Sequence, residues 1–287
     1  PNLPWIKTDF WEKYNTLEAE TDIVFTWKSG KQEYPFCHLN KPVVEWNAFG
    51  GYDTSNNLVK SLSVSPFCQE EYIKNGGRKE KTRVVFLPVT ERQTNDSFRE
   101  ELGIVSDDAI VLGMHQRAED TIFSPIGLNA IKYVQENSTK NIYVVFLGGS
   151  RLYDQYADNV GIKNGFFLSP NGELMINSND SLASGYHVVS KFLNTLDIYT
   201  HARKDGETLG AAIQEAMVHE LPIISHTSQW NAHIDTIGPG GKVCETQDEY
   251  NSLLLEWVEN LDIAKEIGRQ GKQFAEDRYS WGRVLEQ

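Results

Sequence analysis

Glu207 and Glu215 are the residues in this chain whose placement most suggests chemistry. They lie in the stretch Asp197–His226, DIYTHARKDGETLGAAIQEAMVHELPIISH. Asp197 to Ala202 reads as a short apolar strand, and Arg203 to Glu207 as a polar loop that bends at Gly206. Thr208 to about His219 carries Leu209, Ala212, Ile213, Ala216 and Met217 at helical spacing. Pro222 opens a second strand, Ile223 to Ser225. On one continuous helix the two glutamates would be roughly 80° out of line. Glu207 is expected at the cap, where the backbone is not yet helical and its direction is free. Both carboxylates can then line one cleft at the helix N-terminus. Unpaired N–H groups and a partial positive charge suit that end to a phosphate. Carboxylates beside it suit hydrogen bonds from sugar hydroxyls.

The amides of Thr208, Leu209, Gly210 and Ala211 are the expected phosphate donors, and Gly210 lets a phosphate approach the backbone closely. Arg117 is the best side-chain candidate to join that helix end at a phosphate. It follows the strand AIVLGMH, Ala109 to His115, and its competing reading is a solvated cation paired with Glu119 or Asp120. Arg203 and Lys204 are weaker candidates, since loop cations beside Asp205 usually form surface pairs. His233, in QWNAHID, reads as a polar loop residue. The histidines show no metal spacing, and HxxxH and HExxH are absent, so no metal site is expected. No G-x-S-x-G elbow supports a Ser-His-Asp mechanism, and no G-x-x-x-x-G-K-[ST] loop supports an ATPase. Gly148-Gly-Ser150 after a strand is a weak dinucleotide signal that lacks the third glycine.

These elements need a scaffold, and 287 residues suffice for one large domain or two ordinary ones. Alternating strands and helices argue for parallel α/β architecture. Strands are expected at Asp22–Trp27, Pro42–Phe49, Lys60–Pro66 and Arg83–Val89, after a helix over residues 1–20. Thr90 to Glu101 reads as a linker. A second α/β rhythm starts at Ala109, with a helix opened by Ser124-Pro125, a strand Ile142–Leu147 and a helix Arg151–Asn159. Gly165 to Val189 is ambiguous, with a turn at Pro170-Asn-Gly172 and a polar run from Asn177 to Ser184. Ser190–Thr195 reads as a short helix, Lys242–Glu245 as a strand, and Gln247–Glu259 and Leu261–Asp277 as amphipathic helices. A net charge of −13 argues against a nucleic-acid footprint. Cys37, Cys68 and Cys244 form no CxxC and point to a reducing compartment. No apolar run approaches a membrane span. The expected location is cytoplasmic, with attachment at a membrane surface left open.

The run Glu207-Thr-Leu-Gly210, Glu215-Ala-Met217 and Leu221-Pro-Ile-Ile224 resembles the Glu-x7-Glu signature of retaining nucleotide-sugar glycosyltransferases, family 4 and its relatives. The pattern departs at Glu220, where the family has Gly, and at Thr208-Leu209, which displace its aromatic. The resemblance implies an α/β protein of GT-B type, with two Rossmann-like domains facing across a cleft. Residues 1–104 would form the acceptor-side domain and 105–276 the domain binding the nucleotide sugar, with 277–287 a helix returning to the first. About four strands precede the second rhythm, so the first domain is expected to be reduced or truncated. By resemblance Glu207 would hold the transferred sugar's hydroxyls and act with Arg117 in catalysis. Glu215 would hold the donor ribose, with Arg203 and Lys204 near the donor. The implied activity is sugar transfer from a nucleotide diphosphate sugar to a glycan, lipid-linked or small acceptor, with retained configuration and no cofactor or metal. A non-catalytic nucleotide-sugar-binding subunit, or an epimerase or phosphorylase of the same fold, are the alternatives.

Overall fold

The computed structural model describes residues 19–106, 108–117, 119–170, 172 and 185–287. The expected N-terminal helix falls almost wholly outside them, as do Asn171 of the expected turn and the polar run 177–184. The chain divides into two compact units, Pro1–Phe86 and Leu87–Gln287.

The first unit holds a parallel sheet of β1 (Val24–Lys28), β2 (Val43–Asn47), β3 (Leu58–Ser63) and β4 (Thr82–Val84), in that order. Leu39, Val43 and Leu58 form a small core with Val24 and Phe36 packed on it. The third strand stops before the expected Pro66, because Ser65 and Pro66 start a helix. Ser65 accepts from Cys68 N at 3.2 Å, and Pro66, which lacks an N–H, opens α1 (Pro66–Lys74). The strand expected over Arg83–Val89 closes at Val84. Apart from Val43, polar groups and not aromatics occupy the covered positions of β1 and β2: Lys28, Glu45 and Asn47 are buried, while Phe25 and Trp27 are exposed. Lys28 is neutralised in place by Asp53 and by Glu45, whose carboxyl burial pushes above its usual range.

The second unit is a six-stranded parallel sheet. Its strands are β5 (Ala109–Gln116), β6 (Asn141–Gly148), β7 (Gly165–Leu168), β8 (Ile198–Thr200), β10 (Ile223–His226) and β12 (Gly241–Cys244). A separate two-stranded pair is made by β9 (Gly206–Glu207) and β11 (Trp230–Asn231). β5 is apolar without alternation and buried from Ala109 to Met114, as a strand covered on both faces must be. The helices are α2 (Ile126–Asn137), α3 (Arg151–Val160), α4 (Tyr186–Leu193), α5 (Ala211–Val218), α6 (Ala232–Ile237), α7 (Gln247–Glu259), α8 (Leu261–Tyr279) and α9 (Trp281–Leu285). The short helix expected at Ser190 begins earlier, at Tyr186.

The sheet order is β12-β10-β8-β5-β6-β7. The chain leaves β5 toward β6 and β7, then returns to its other side at β8. The strand order therefore reverses between β5 and β8, as in doubly wound nucleotide-binding sheets, and ligands bind at the carboxyl ends beside such a point. The stretch expected as a linker is instead pinned to the second unit. Gln93 N donates to Ser190 Oγ at 3.0 Å, Phe98 N to Thr195 Oγ1 at 2.8 Å, and Arg99 pairs with Asp197 at 2.5 Å. The unit boundary thus lies at 86/87, and residues 87–104 go with the second unit rather than the first.

Candidate functional site

The residues at and just beyond the carboxyl ends of β5 and β8 are His115, Gln116 and Arg117 on one side, and His201, Ala202 and Arg203 on the other. α5 starts beyond them. Its start differs from the sequence reading: Gly210 sits at φ +93, a left-handed conformation that stops a helix from running back into Leu209 and Thr208. The helical amides therefore begin at Ala211, which is exposed, and Ala212, which is half-buried. Thr208 and Leu209 precede the helix, and the Leu209 side chain is buried with its carbonyl accepting from Thr236.

Glu207 is not at a helix cap. It is the second residue of β9, paired in parallel register with Asn231 of β11. Gly206 makes that pairing possible: at φ +77, a Cβ here would lie 2.0 Å from Trp230 O. Glu207 Oε1 lies 3.4 Å from His201 Nε2 and 3.3 Å from Arg203 Nη1. Burial raises the Glu207 pKa, but the His201 hydrogen bond, then the charges of His201, Arg203 and His233, outweigh it and hold the carboxyl below its usual value. Arg203 grips Asp205 with two bonds, Nε to Oδ1 at 2.6 Å and Nη2 to Oδ2 at 3.0 Å. Burial works against its charge, yet Asp205 and Glu207 keep its pKa raised.

Three histidines that look scattered in sequence meet under Glu207. His201 Nδ1 lies 2.7 Å from Ser225 Oγ. The ring of His233 is 5.5 Å from that of His201, and its Nε2 donates to His226 O at 3.0 Å. His226 accepts from Arg203 N through Nε2 at 3.2 Å. His233 is therefore not the polar loop residue its sequence neighbourhood suggests: it lies fully buried in α6, its Nδ1 without a partner among the described residues. Burial, then the charge of His201, pushes its pKa down to about 4. A signal was present, because His115, His201 and His226 each fall at or just after the carboxyl end of a strand.

Glu215, in the second turn of α5, is held from a different strand. Its Oε2 lies 2.8 Å from His115 Nε2. Tyr199 stands behind His115, its hydroxyl 3.1 Å from His115 O and 3.2 Å from Nδ1. Tyr199 is fully buried, and burial, together with the charges of Glu215 and Glu207, pushes its pKa well up. The phenol stays protonated.

The two carboxylates thus have separate anchors, one on each side of the point where strand order reverses. Of the cations named from sequence, Arg203 bonds Glu207, whereas Arg117 and Lys204 lie outside these contacts. Arg117 is exposed beyond β5 and paired with Glu119 at 2.7 Å. Lys204 is exposed, with its N–H bonded to Ile122 O at 3.0 Å. Arg203 is engaged with carboxylates. At the end of β6, Gly148 and Gly149 both take positive φ and lead into α3, whose N-cap Ser150 accepts from Leu152 N at 3.1 Å. Among the described residues no group of three His, Cys, Asp or Glu could hold a metal ion, and no helix is long and apolar enough to cross a membrane.

No family model matches the chain, and no curated protein matches its sequence. Solved structures do. HepE of Anabaena in complex with UDP and glucose superposes with a TM-score of 0.71 at 14% identity, covering 99% of this chain and 82% of that one. WaaG, a glycosyltransferase involved in lipopolysaccharide biosynthesis, gives 0.63 at 13% identity, with 97% and 93% covered. The sucrose-phosphate synthase of Thermosynechococcus elongatus gives 0.70 at 14% identity, with 96% and 75% covered. At these identities the likeness speaks to the fold, and the chain has the α/β GT-B fold of these glycosyltransferases.

Proposed function

We propose that the protein is a glycosyltransferase that moves a sugar from a nucleotide diphosphate sugar to an acceptor, with retention of anomeric configuration. The observation that carries this reading is the pair Glu207 and Glu215, fixed by separate anchors on either side of the start of α5. In this reading Glu207 accepts from hydroxyls of the transferred sugar and Glu215 from the donor ribose. The diphosphate lies at the open first turn, over Gly210 and the amides of Ala211 and Ala212. The helix end and Arg117, released from its exposed pair with Glu119, neutralise charge as the diphosphate leaves. Lys204 supplies longer-range positive potential. Glu207, kept ionised by Arg203 and His201, is suited to stabilise positive charge on the reacting anomeric carbon. In this reading the second unit binds the donor, through residues 105–276, and the first unit serves the acceptor.

Likeness to HepE, which binds UDP and UDP-glucose, makes UDP-glucose the first donor to try. The acceptor is a glycan, a lipid-linked sugar or a small molecule. A cytoplasmic location accords with free thiols at Cys37, Cys68 and Cys244.

The test is turnover of UDP-glucose, and of other nucleotide sugars, with and without simple glycoside acceptors. NMR of the first-formed product reports the anomer. Release of UDP with retained configuration is expected. An inverted product rules out the proposed stereochemistry, and absence of turnover and of diphosphate binding across the donors rules out the function.

A further inference from the structure

We propose that His115 is a positioning residue for donor binding: it holds the Glu215 carboxylate in place for the two ribose hydroxyls. This rests on the assignment of Glu215 to the ribose made above. The argument begins with the helix. Glu215 lies in the second turn of an eight-residue helix, on a side chain with three rotatable bonds, and is partly exposed. Left alone, such a carboxylate samples several rotamers, and a ligand must first order it. His115 removes that freedom. It comes from a different element, the carboxyl end of β5, and its Nε2 meets Oε2 at 2.8 Å. Oε1 has no hydrogen-bond partner among the described residues, and is left to accept from a ligand.

His115 is itself fixed on three sides. Its ring packs edge-on against Phe192 and Tyr199, at 5.7 Å from each. The Tyr199 hydroxyl lies within reach of Nδ1, at 3.2 Å, and of the His115 carbonyl, at 3.1 Å. That double reach has a chemical consequence. If the imidazole is neutral, the phenol donates to Nδ1 and the ring proton sits on Nε2. If it is cationic, Nδ1–H donates to the phenol oxygen, and the phenol turns its proton to the carbonyl. In both states Nε2 carries a proton toward Glu215. The neutral tautomer with hydrogen on Nδ1 would set two acceptors against each other at 2.8 Å, and is disfavoured. The Glu215 carboxylate thus selects the forms with a proton on Nε2, and the Tyr199 hydroxyl accommodates either charge of His115.

A half-buried histidine can serve packing alone, so the test must read something packing does not move. It is the preference for ribose over deoxyribose. Calorimetry would measure UDP, ADP and GDP against the wild-type chain, then the 2′-deoxy counterpart of the tightest. Loss of the 2′-hydroxyl should weaken wild-type binding about tenfold, the worth of a hydrogen bond to a charged group. Glu215→Ala should bind both forms alike. His115→Phe, which keeps an aromatic ring against Phe192 and Tyr199, should lose most of that tenfold preference while binding the deoxy form as wild type does. His115→Gln, which restores an N–H donor, should regain part of it. Thermal melts identify any variant that fails to fold, and His115→Gln then carries the comparison with Glu215→Ala.

If Glu215→Ala loses the preference and a folded His115→Phe keeps it, the positioning role is overturned while the ribose assignment stands. If Glu215→Ala keeps the preference, or no diphosphate binds, the ribose assignment fails and the role of His115 falls with it.

Discussion

Arg203 Nη1 stands 3.3 Å from Glu207 Oε1, while Nε and Nη2 of the same guanidinium clasp Asp205. One cation thus serves two carboxylates within a five-residue loop, and both partners are mostly covered. Arg203→Gln leaves Glu207 and Asp205 to share a buried site without it. We expect a loss of about 1–3 kcal/mol at pH 7, measured by urea denaturation. The pH dependence has a definite sign. The Glu207 pKa is lowered in the folded chain, so the stability it contributes is complete above 4.5 and is lost as pH falls further. The gap between wild type and variant should narrow in that acid range. A gap that is constant down to pH 3 would show that the Glu207 charge is not what Arg203 stabilises.

His233 gives an acid-side dependence in a different window. Its pKa falls from 6.5 to about 4 on folding, with burial the main cause. Between those values the unfolded chain holds a proton that the folded chain does not, so stability rises with pH there and is complete above 6.5. One such group changes stability by about 1.4 kcal/mol per pH unit. His219, also brought down to about 4 by burial, adds a second contribution of the same sign. His233→Phe should remove about one proton from the slope of unfolding free energy against pH between 4 and 6.5. An unchanged slope would mean that His233 titrates alike folded and unfolded.

The sequence carried the frame of the site but not its contacts. Alternating patterns and the continuous apolar run from Ala109 were enough to foresee a parallel α/β chain. The spacing of Glu207 and Glu215 put the first before a helix and the second inside it, which is where the two residues lie. The helix start was misplaced because periodicity extends through Leu209, and only the positive φ of Gly210 ends it. The anchors were illegible for a plainer reason. His115 is 100 residues from Glu215, and Ser225 is 24 from His201, so sheet topology alone brings them together. His233 was misread since its neighbours Gln229, Asn231 and Asp235 are polar, whereas α6 turns its ring inward. Lys28 and Glu45 sit on the covered face of their strands, against the usual rule that aromatics such as Trp27 go inside.

Gly206 offers a test of the loop itself. The Cβ of Gly206→Ala would lie 2.0 Å from Trp230 O and 2.9 Å from Ser228 Cβ, in a backbone conformation that alanine resists. Something must move, and the pairing of β9 with β11 is what the clash breaks. The variant should be destabilised by about 1–3 kcal/mol. Because Glu207 is the next residue, transfer should fall more steeply than stability predicts, and diphosphate affinity should fall little. Equal losses in affinity and turnover would indicate that the loop acts on the whole site, not on Glu207.

The two carboxylates should separate by the step each affects. On the proposed assignment Glu215→Ala removes a charged acceptor from the ribose, and donor binding should weaken by on the order of 1–3 kcal/mol. Glu207→Gln keeps shape and hydrogen-bonding reach but loses the charge that His201 and Arg203 hold ionised. UDP, which carries no transferred sugar, should bind this variant as it binds wild type, whereas turnover of UDP-glucose should fall about 10²–10³-fold, the scale for losing one preorganised electrostatic group. The diphosphate is expected to lean on the first turn of α5 and on Arg117, with Lys204 at longer range, so turnover should survive EDTA, and Arg117→Gln should lower it without changing ribose preference. Activity abolished by the chelator and restored by Mn²⁺ would contradict this account, because the α5 terminus and Arg117 would then be insufficient for the leaving diphosphate.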